Sequence, residues 1–348
     1  MSAPLPKLSY VLLSHNREKY IRGAIESAFA QDYEGELEYI FSDDCSTDRT
    51  FDIIKECVAE YKGNRRVVVT QTPTNLHLAG NTNHAVQFVE SDWIVRADDD
   101  DYSSVDRCSI VGRAIAENPG CSYVYTLLEH FTDDSEESIR KRMTAKSTDN
   151  PPVERLDILQ GKHDFWGEFS KPGTLHQVWS TRHFKEYGDL PLDGYWVDDV
   201  ISNLRCCTLG YGIKVPSITA FIRKGTSNMS RGGIQGATSY SEIIRLEQFN
   251  DRYFNTTLPA LETTQNQIER YLSERDSHNG VGFIDFIKKE IDKRRLLSTY
   301  WRAGIRNRLR IKNQLGYRGA FSYLRCLPLP MFAVLCSALR WLKSRCRN

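Results

Sequence analysis

Apolar and polar positions follow two rhythms along the first hundred residues. Leu8-Ser9-Tyr10-Val11-Leu12-Leu13 is a short, mostly apolar run that ends abruptly in polar residues, as a β-strand does. Ile21, Ile25, Ala28 and Phe29 then recur at helical spacing up to Gln31-Asp32, and Leu37 to Phe41 give a second strand. Ser42 to Asp48 form a polar loop, in which Ser46-Thr47-Asp48 can cap a helix whose inner face is Phe51, Ile54, Val58 and Tyr61. Val67-Val68-Val69 supplies a third strand, a helix is expected around Ala79 to Val89, and Trp93-Ile94-Val95 supplies a fourth. Strands alternating with helices of this length predict an α/β fold, a mainly parallel sheet flanked by helices. Ligands of such sheets gather at the carboxyl ends of the strands.

Further along, Cys121 to Leu128 alternates like a strand and Asp133 to Thr148 reads as a charged loop or helix. From about Gln265 the pattern is helical and increasingly basic, with Leu296-Leu297, Trp301, Ile305 and Leu309 forming an apolar stripe among arginines. The content of 40% hydrophobic and 26% charged residues in 348 is that of a soluble globular protein. The chain opens without a basic and apolar leader, so a cytoplasmic location is expected. Nine cysteines, an odd number with no Cys-x-x-Cys pair, suggest neither a disulfide framework nor a zinc site.

Charge divides the chain. Residues 288–348 hold 16 Lys and Arg against Glu290 and Asp292, a net +14, which leaves residues 1–287 with 30 basic and 43 acidic side chains, net −13. The apolar stretch Cys326 to Leu339 is 14 residues long and broken by Pro328 and Pro330, short of the roughly 20 that a spanning helix needs. A basic amphipathic segment lying at the inner face of a membrane fits this pattern; docking on the acidic body or on a second copy, as a homodimer, fits it equally. No recognition motif accompanies the charge, so no nucleic acid partner is expected.

The candidate chemistry lies after the strands: Ser14-His15-Asn16 follows the first, Ser42-Asp43-Asp44 the second and Asp98-Asp99-Asp100-Asp101 the fourth. Four adjacent aspartates repel one another and call for a cation. Mn²⁺ or Mg²⁺ would prefer such oxygens and leave positions open for phosphate, although a solvated acidic loop accounts for an isolated run as well.

These segments resemble family 2 glycosyltransferases from about Leu8 to Ser230. Tyr10 to Arg17 is similar to the family's opening strand, with His15 where Tyr is usual. Phe41 to Asp48 resembles the Asp-Asp-Gly-Ser-Thr-Asp loop, with Cys45 in place of Gly. Asn75 and Asn83 are spaced as the family spaces them, and Asp98 to Asp101 with Val105-Asp106-Arg107 matches its Asp-x-Asp-Asp pattern. The resemblance implies a GT-A (Rossmann-like) domain over residues 1–230, with a nucleotide-sugar half to 107 and an acceptor half from 108. A helical extension is expected from 231 to 348, basic from 288, where the membrane-associating and the docking readings both stand.

By the same resemblance Asp44 binds the donor's base, Asp98 holds the ribose or phosphate side, and Asp98 and Asp100 bind the metal. Ser14, Asn16, Arg17, Asp43, Asn83 and Asp99 complete the nucleotide-sugar pocket. Tyr195 to Val200 with Arg205 resembles the family's Glu-Asp helix start, which makes Asp199 the general base and Asp198 its helper. Phe221 to Ser230 is similar to a segment that usually carries Arg-x-His, but Gly225 stands at the histidine; Arg223, Lys224 or His176 would have to replace it. Trp166 and Trp179 lie where an acceptor sugar could stack, or in the core.

The implied function is inverting transfer of a single sugar from a nucleotide-diphosphate donor, with UDP expected. The acceptor would be a hydroxyl of a lipid-linked or cell-envelope glycan. The alternatives are a processive polysaccharide synthase, disfavoured because Ser337 replaces Gln before Arg340-Trp341, and a non-catalytic sugar-nucleotide-binding or scaffold protein. A Rossmann dehydrogenase is disfavoured, since no Gly-x-Gly-x-x-Gly follows the first strand.

Overall fold

The computed structural model describes residues 3–132, 135–146, 152–160, 162, 177–192, 198–223, 258–275 and 280–300. Four strands, β1 (Leu8–Ser14), β2 (Leu37–Asp43), β3 (Val67–Gln71) and β4 (Trp93–Asp98), form a parallel array in the order β3-β2-β1-β4. Every residue of β1 and β2 is buried, which is why both strands read as apolar runs rather than as alternation. Leu13 pairs with Ser42 on one side and Asp98 on the other, so the three strands end level with one another. The chain winds outward from β1 through β2 to β3, then crosses to the far side of β1. This reversal opens a crevice beside the end of β1.

Helix α1 (Ile21–Phe29) places Ile21, Ala24, Ile25 and Ala28 in the core with Leu8, Tyr10, Leu12, Tyr39 and Phe41. Helix α2 (Thr50–Glu60) adds Ile54 and Cys57 to that core. Its first turn is held by Asp48, whose Oδ1 accepts from the Thr50 N–H at 2.9 Å, while Ser46 is drawn into the loop by Asp43. Helix α3 (His77–Val86) reaches β2 through Asn81, which donates to the Ser42 carbonyl at 3.1 Å.

The second half of the sheet is mixed. It comprises β5 (Tyr102–Ser103), α4 (Arg107–Glu117), β6 (Cys121–Phe131), α5 (Glu136–Met143), β7 (Glu154–Leu156), β8 (Gln177–Ser180), α6 (Arg182–Tyr187), α7 (Asp198–Leu209) and β9 (Tyr211–Arg223). Strand β8 runs antiparallel to β4 and β6, β6 is parallel to β9, and β5 and β7 pair antiparallel with β9. Helix α4 is absent from the expectations above, although Cys108, Val111, Ala114 and Ile115 recur at helical spacing and enter the core. Its first turn carries a fully buried Arg107, which interrupts the amphipathic pattern. The stretch foreseen as a charged loop or helix becomes α5. The Ser135 hydroxyl caps it, Glu136 and Glu137 occupy its first turn and Arg140 to Arg142 its last, as the helix dipole favours.

Two further helices, α8 (residues 258–273) and α9 (Val281–Tyr300), close the described chain. The chain divides into two compact units, residues 1–224 with 263–285, and residues 225–262 with 286–348. In the first, α8 is fastened by Gln267 to Arg205 at 2.8 Å and by Tyr271 against the Tyr187 ring at 4.9 Å. In the second, Arg295 bridges Glu262 and Asp292. Among the described residues no helix is long and apolar enough to cross a membrane, and the six cysteines are free thiols. The basic tail beyond residue 300 lies outside the described residues.

Candidate active site

Three loops meet at the carboxyl edge of β1, β2 and β4, and backbone bonds stitch them together. The Asp44 N–H donates to the Ser14 carbonyl at 2.8 Å, and the His15 N–H donates to Asp99 Oδ2 at 2.8 Å. Asn16 takes a left-handed conformation, φ 53°, that asparagine tolerates. There its Oδ1 accepts from the Thr47 N–H and its own N–H donates to Ser46 Oγ. Cys45 is also left-handed, φ 52°, at the position where the family pattern it resembles has glycine. That conformation, not the side chain, is what glycine supplies there.

Asp43 is fully buried and saturated: its oxygens accept from the Ser46 N–H and hydroxyl and from Gln71. Its oxygens are spent on shaping the loop. Ser14 likewise turns its hydroxyl inward, to Asp43 and the Ser42 carbonyl at 3.4 Å. Asp44 spends Oδ1 on Thr72 (2.9 Å) and the Leu76 N–H (2.8 Å), and its Oδ2 makes no hydrogen bond among the described residues. The bonding of His15 defines its tautomer. Nδ1 donates to the Asp44 carbonyl at 2.8 Å, and Nε2 accepts from the amides of Asn16 and Asn75 at 3.1 Å. A histidine at the family's tyrosine position thus ties all three loops to the loop that precedes α3.

The acidic loop is gripped by arginines. Arg96 forks onto Asp98 at 3.0 and 3.1 Å; the two residues lie two apart on β4 and so share a face, a signal that was present in the sequence. The Arg17 Nε lies 3.5 Å from Asp99 and 3.7 Å from Asp100. Asp101 accepts from the Arg223 N–H at 2.8 Å. Burial, then repulsion from Asp100, pushes the Asp99 carboxyl well above the usual carboxylate range despite Arg17. Burial, then Asp101 and Asp98, pushes Asp100 up to about 7.

Other residues singled out in the sequence sit elsewhere. Asn83 on α3 uses its whole amide on the backbone of Leu190, donating to the carbonyl at 2.9 Å and accepting from the N–H at 2.8 Å, so it clasps the turn before α7. Asp199 opens α7 and accepts from the Val200 N–H at 2.7 Å; the side chain of Asp198 lies outside the described residues. Arg205 on α7 is buried and turned onto the Gly188 and Asp189 carbonyls, at 2.8 and 2.9 Å, and burial lowers its pKa to about 10. Trp179 is a core residue, with its indole N–H on Gln177 and Asn203. Arg223 is buried as well, which removes it as a direct phosphate contact; Trp166, His176 and Lys224 to Ser230 lie outside the described residues.

Among the described residues no three His, Cys, Asp or Glu side chains form a complete metal-ligand set. A divalent ion held mainly by a diphosphate and water needs only one or two carboxylates. The four crowded acids of the loop, whose mutual repulsion and burial drive Asp100 toward its protonated form despite Arg17, fit such an ion.

Against this geometry, residues 9–176 match the family model Glycosyl transferase family 2. Residues 9–176 belong to that family. Segments of two curated proteins are similar to this chain. The putative glycosyltransferase EpsE of Bacillus subtilis is 38% identical over 98 residues, 28% of this chain and 34% of that protein. The poly(ribitol-phosphate) beta-N-acetylglucosaminyltransferase TarS of Staphylococcus aureus is 34% identical over 98 residues, 28% of this chain and 16% of that one. The matched segment therefore spans about a third or less of each relative. The crystal structure of TarS 1–349 covers 85% of this chain and 91% of its own at 16% identity with a TM-score of 0.50; its complex with UDP-GlcNAc gives 0.51. The glycosyltransferase domain has the GT-A fold.

Proposed function

We propose that this glycosyltransferase moves one sugar from a UDP-linked donor to a hydroxyl of a glycan or lipid-linked acceptor, with inversion at the anomeric carbon. The observation that carries the reading is the convergence of the loops after β1, β2 and β4, which brings Asp44, Asp98 to Asp100 and Arg17 into one hydrogen-bonded rim. The complexes of TarS with UDP and UDP-GlcNAc, and the polymer in that enzyme's name, support a nucleotide donor and a polymeric acceptor.

In this reading Asp44 accepts a hydrogen bond from the base and Arg17 faces the diphosphate. Asp98 and Asp100 would hold Mn²⁺ or Mg²⁺, which when bound neutralises charge on the leaving nucleoside diphosphate. Asp199 takes the proton of the acceptor hydroxyl as its oxygen attacks the anomeric carbon from the face opposite the diphosphate; the bond to the phosphate oxygen breaks as the new bond forms. Asp199 opens the helix that also carries Arg205, which with Asn83 bonds the backbone at Gly188 to Leu190, an anchoring that suits a base. The basic tail is assigned to an anionic membrane surface on the cytoplasmic side, near a lipid-linked acceptor. Replacing Asp199 by Asn tests the base: transfer should fall by about 100-fold or more while UDP affinity stays within about twofold. Transfer at the wild-type rate in that variant rules Asp199 out.

A further inference from the structure

Arg223 is the last residue of β9 and lies at the junction of three elements. Its strand pairs with β6, where Phe131 is its partner, and with β5, where Tyr102 faces Phe221, so two more residues along the strand bring Arg223 beside the acidic loop. The main-chain N–H donates to Asp101 Oδ1 at 2.8 Å, Nε donates to the Asp100 carbonyl at 3.1 Å, and a terminal nitrogen donates to the Tyr102 hydroxyl at 2.8 Å. Three rings enclose the guanidinium: Tyr20 at 4.3 Å, Phe131 at 4.9 Å and Tyr102 at 5.4 Å. Only 3% of the residue is exposed.

Burying a guanidinium is costly, and aromatic faces repay it only in part. What this arrangement secures is geometry, since a planar fork can bond two fixed acceptors at once while the rings hold its plane. Both acceptors flank the carboxylates assigned to the cation: one is the backbone of Asp100 itself, the other the residue after Asp101. Arg17 grips the same loop through the side chains of Asp99 and Asp100. The loop is thus held by Arg17 through the carboxylates of Asp99 and Asp100, and by Arg223 through the Asp100 carbonyl and the Asp101 carboxylate.

We infer that Arg223 is a positioning residue for the acidic loop: its guanidinium, caged by Tyr20, Tyr102 and Phe131, fixes the backbone at Asp100, and its main-chain N–H fixes the Asp101 carboxylate, in the attitude that metal-assisted binding of a nucleoside diphosphate requires. This rests on the donor-site reading above and deepens it, because it names the group that aims the carboxylates. Lysine cannot replace it, having neither a plane to fit the cage nor a fork to span both acceptors.

The test is calorimetric titration of UDP with and without MnCl₂, and of uridine without metal, into the full chain carrying Arg223→Lys or Tyr102→Phe. Supporting residues of this kind typically change metal affinity by about 10- to 100-fold. Arg223→Lys should therefore cut the Mn²⁺-dependent gain in UDP affinity about tenfold or more, and Tyr102→Phe, which removes one hydroxyl from the fork, should cut it about threefold. Uridine binding should stay within about twofold in both, which a general loosening of the fold would not allow. If Arg223→Lys does not fold, the Tyr102→Phe result decides. Wild-type protein without any Mn²⁺-dependent UDP binding sinks the donor-site reading. Wild-type protein that shows it, with the gain unchanged in the folded variants, overturns the role of Arg223 alone.

Discussion

Asp100 stands between Asp98 and Asp101 in a buried loop, and its carboxyl is pushed up to about 7 by burial and by those two neighbours. A cation arriving below that pH must displace a proton, so Mn²⁺-dependent UDP affinity should weaken as pH falls through 7, approaching about tenfold per unit. The fold responds with the opposite sign. A carboxyl whose folded pKa lies above its unfolded value contributes most to stability at low pH, and that contribution is lost as pH rises from about 4 through about 7. Metal-free protein should therefore lose stability over that window, and UDP with Mn²⁺ should restore part of it. Thermal melts across the range, with and without UDP and Mn²⁺, check both signs; a flat response in both series assigns Asp100 no part in cation binding. Residue identity alone hid this behaviour. Asp43 and Asp44 are neighbours of one type, yet Asp43 is consumed by Ser46 and Gln71 while Asp44 keeps one oxygen without a bond among the described residues.

Elements differ in how plainly the sequence announced them. Strands β1, β2 and β4 are buried along nearly their whole length, so each reads as an apolar run, and the polar residues at their ends mark the rim directly. Helix α4 and strands β5 and β7 escaped. The first carries a buried arginine in its opening turn, and the other two are only two and three residues long, too short for a period to register. The fastening of α7 was illegible for another reason. Asn83 reaches Leu190 across 107 positions, and periodicity reports only on neighbours. Removing that amide leaves the Leu190 N–H and carbonyl buried without their partner, at about 1–3 kcal/mol for each group. Asn83→Ala should accordingly lower unfolding stability by about the sum of the two in a denaturant titration and slow transfer, while UDP affinity, which depends on the other loops, changes little. An unaltered midpoint and rate would show that the clasp does not hold the base helix.

At the scale of the whole molecule, sequence and fold agree most where a nucleotide is expected and least along the return path of the chain. The first hundred residues contain the parallel strands and the three loops at their carboxyl ends. The mixed half-sheet is built from strands that pair out of chain order, an arrangement that no local pattern encodes. Charge adds a second layer, since an acidic body of net −13 precedes a basic tail of net +14. The donor site nevertheless depends on one condition, that the acids of the β4 loop and the aspartate of the β2 loop serve a single nucleotide together with a cation. Titration of UDP-GlcNAc into the full chain with and without Mn²⁺, repeated on Asp44→Ala and Asp100→Asn, probes that condition most directly. The account predicts that Asp44→Ala weakens binding with or without metal, whereas Asp100→Asn abolishes only the gain from Mn²⁺. Binding that ignores both substitutions, or no uptake of the nucleotide sugar by the unaltered protein under either condition, would contradict it.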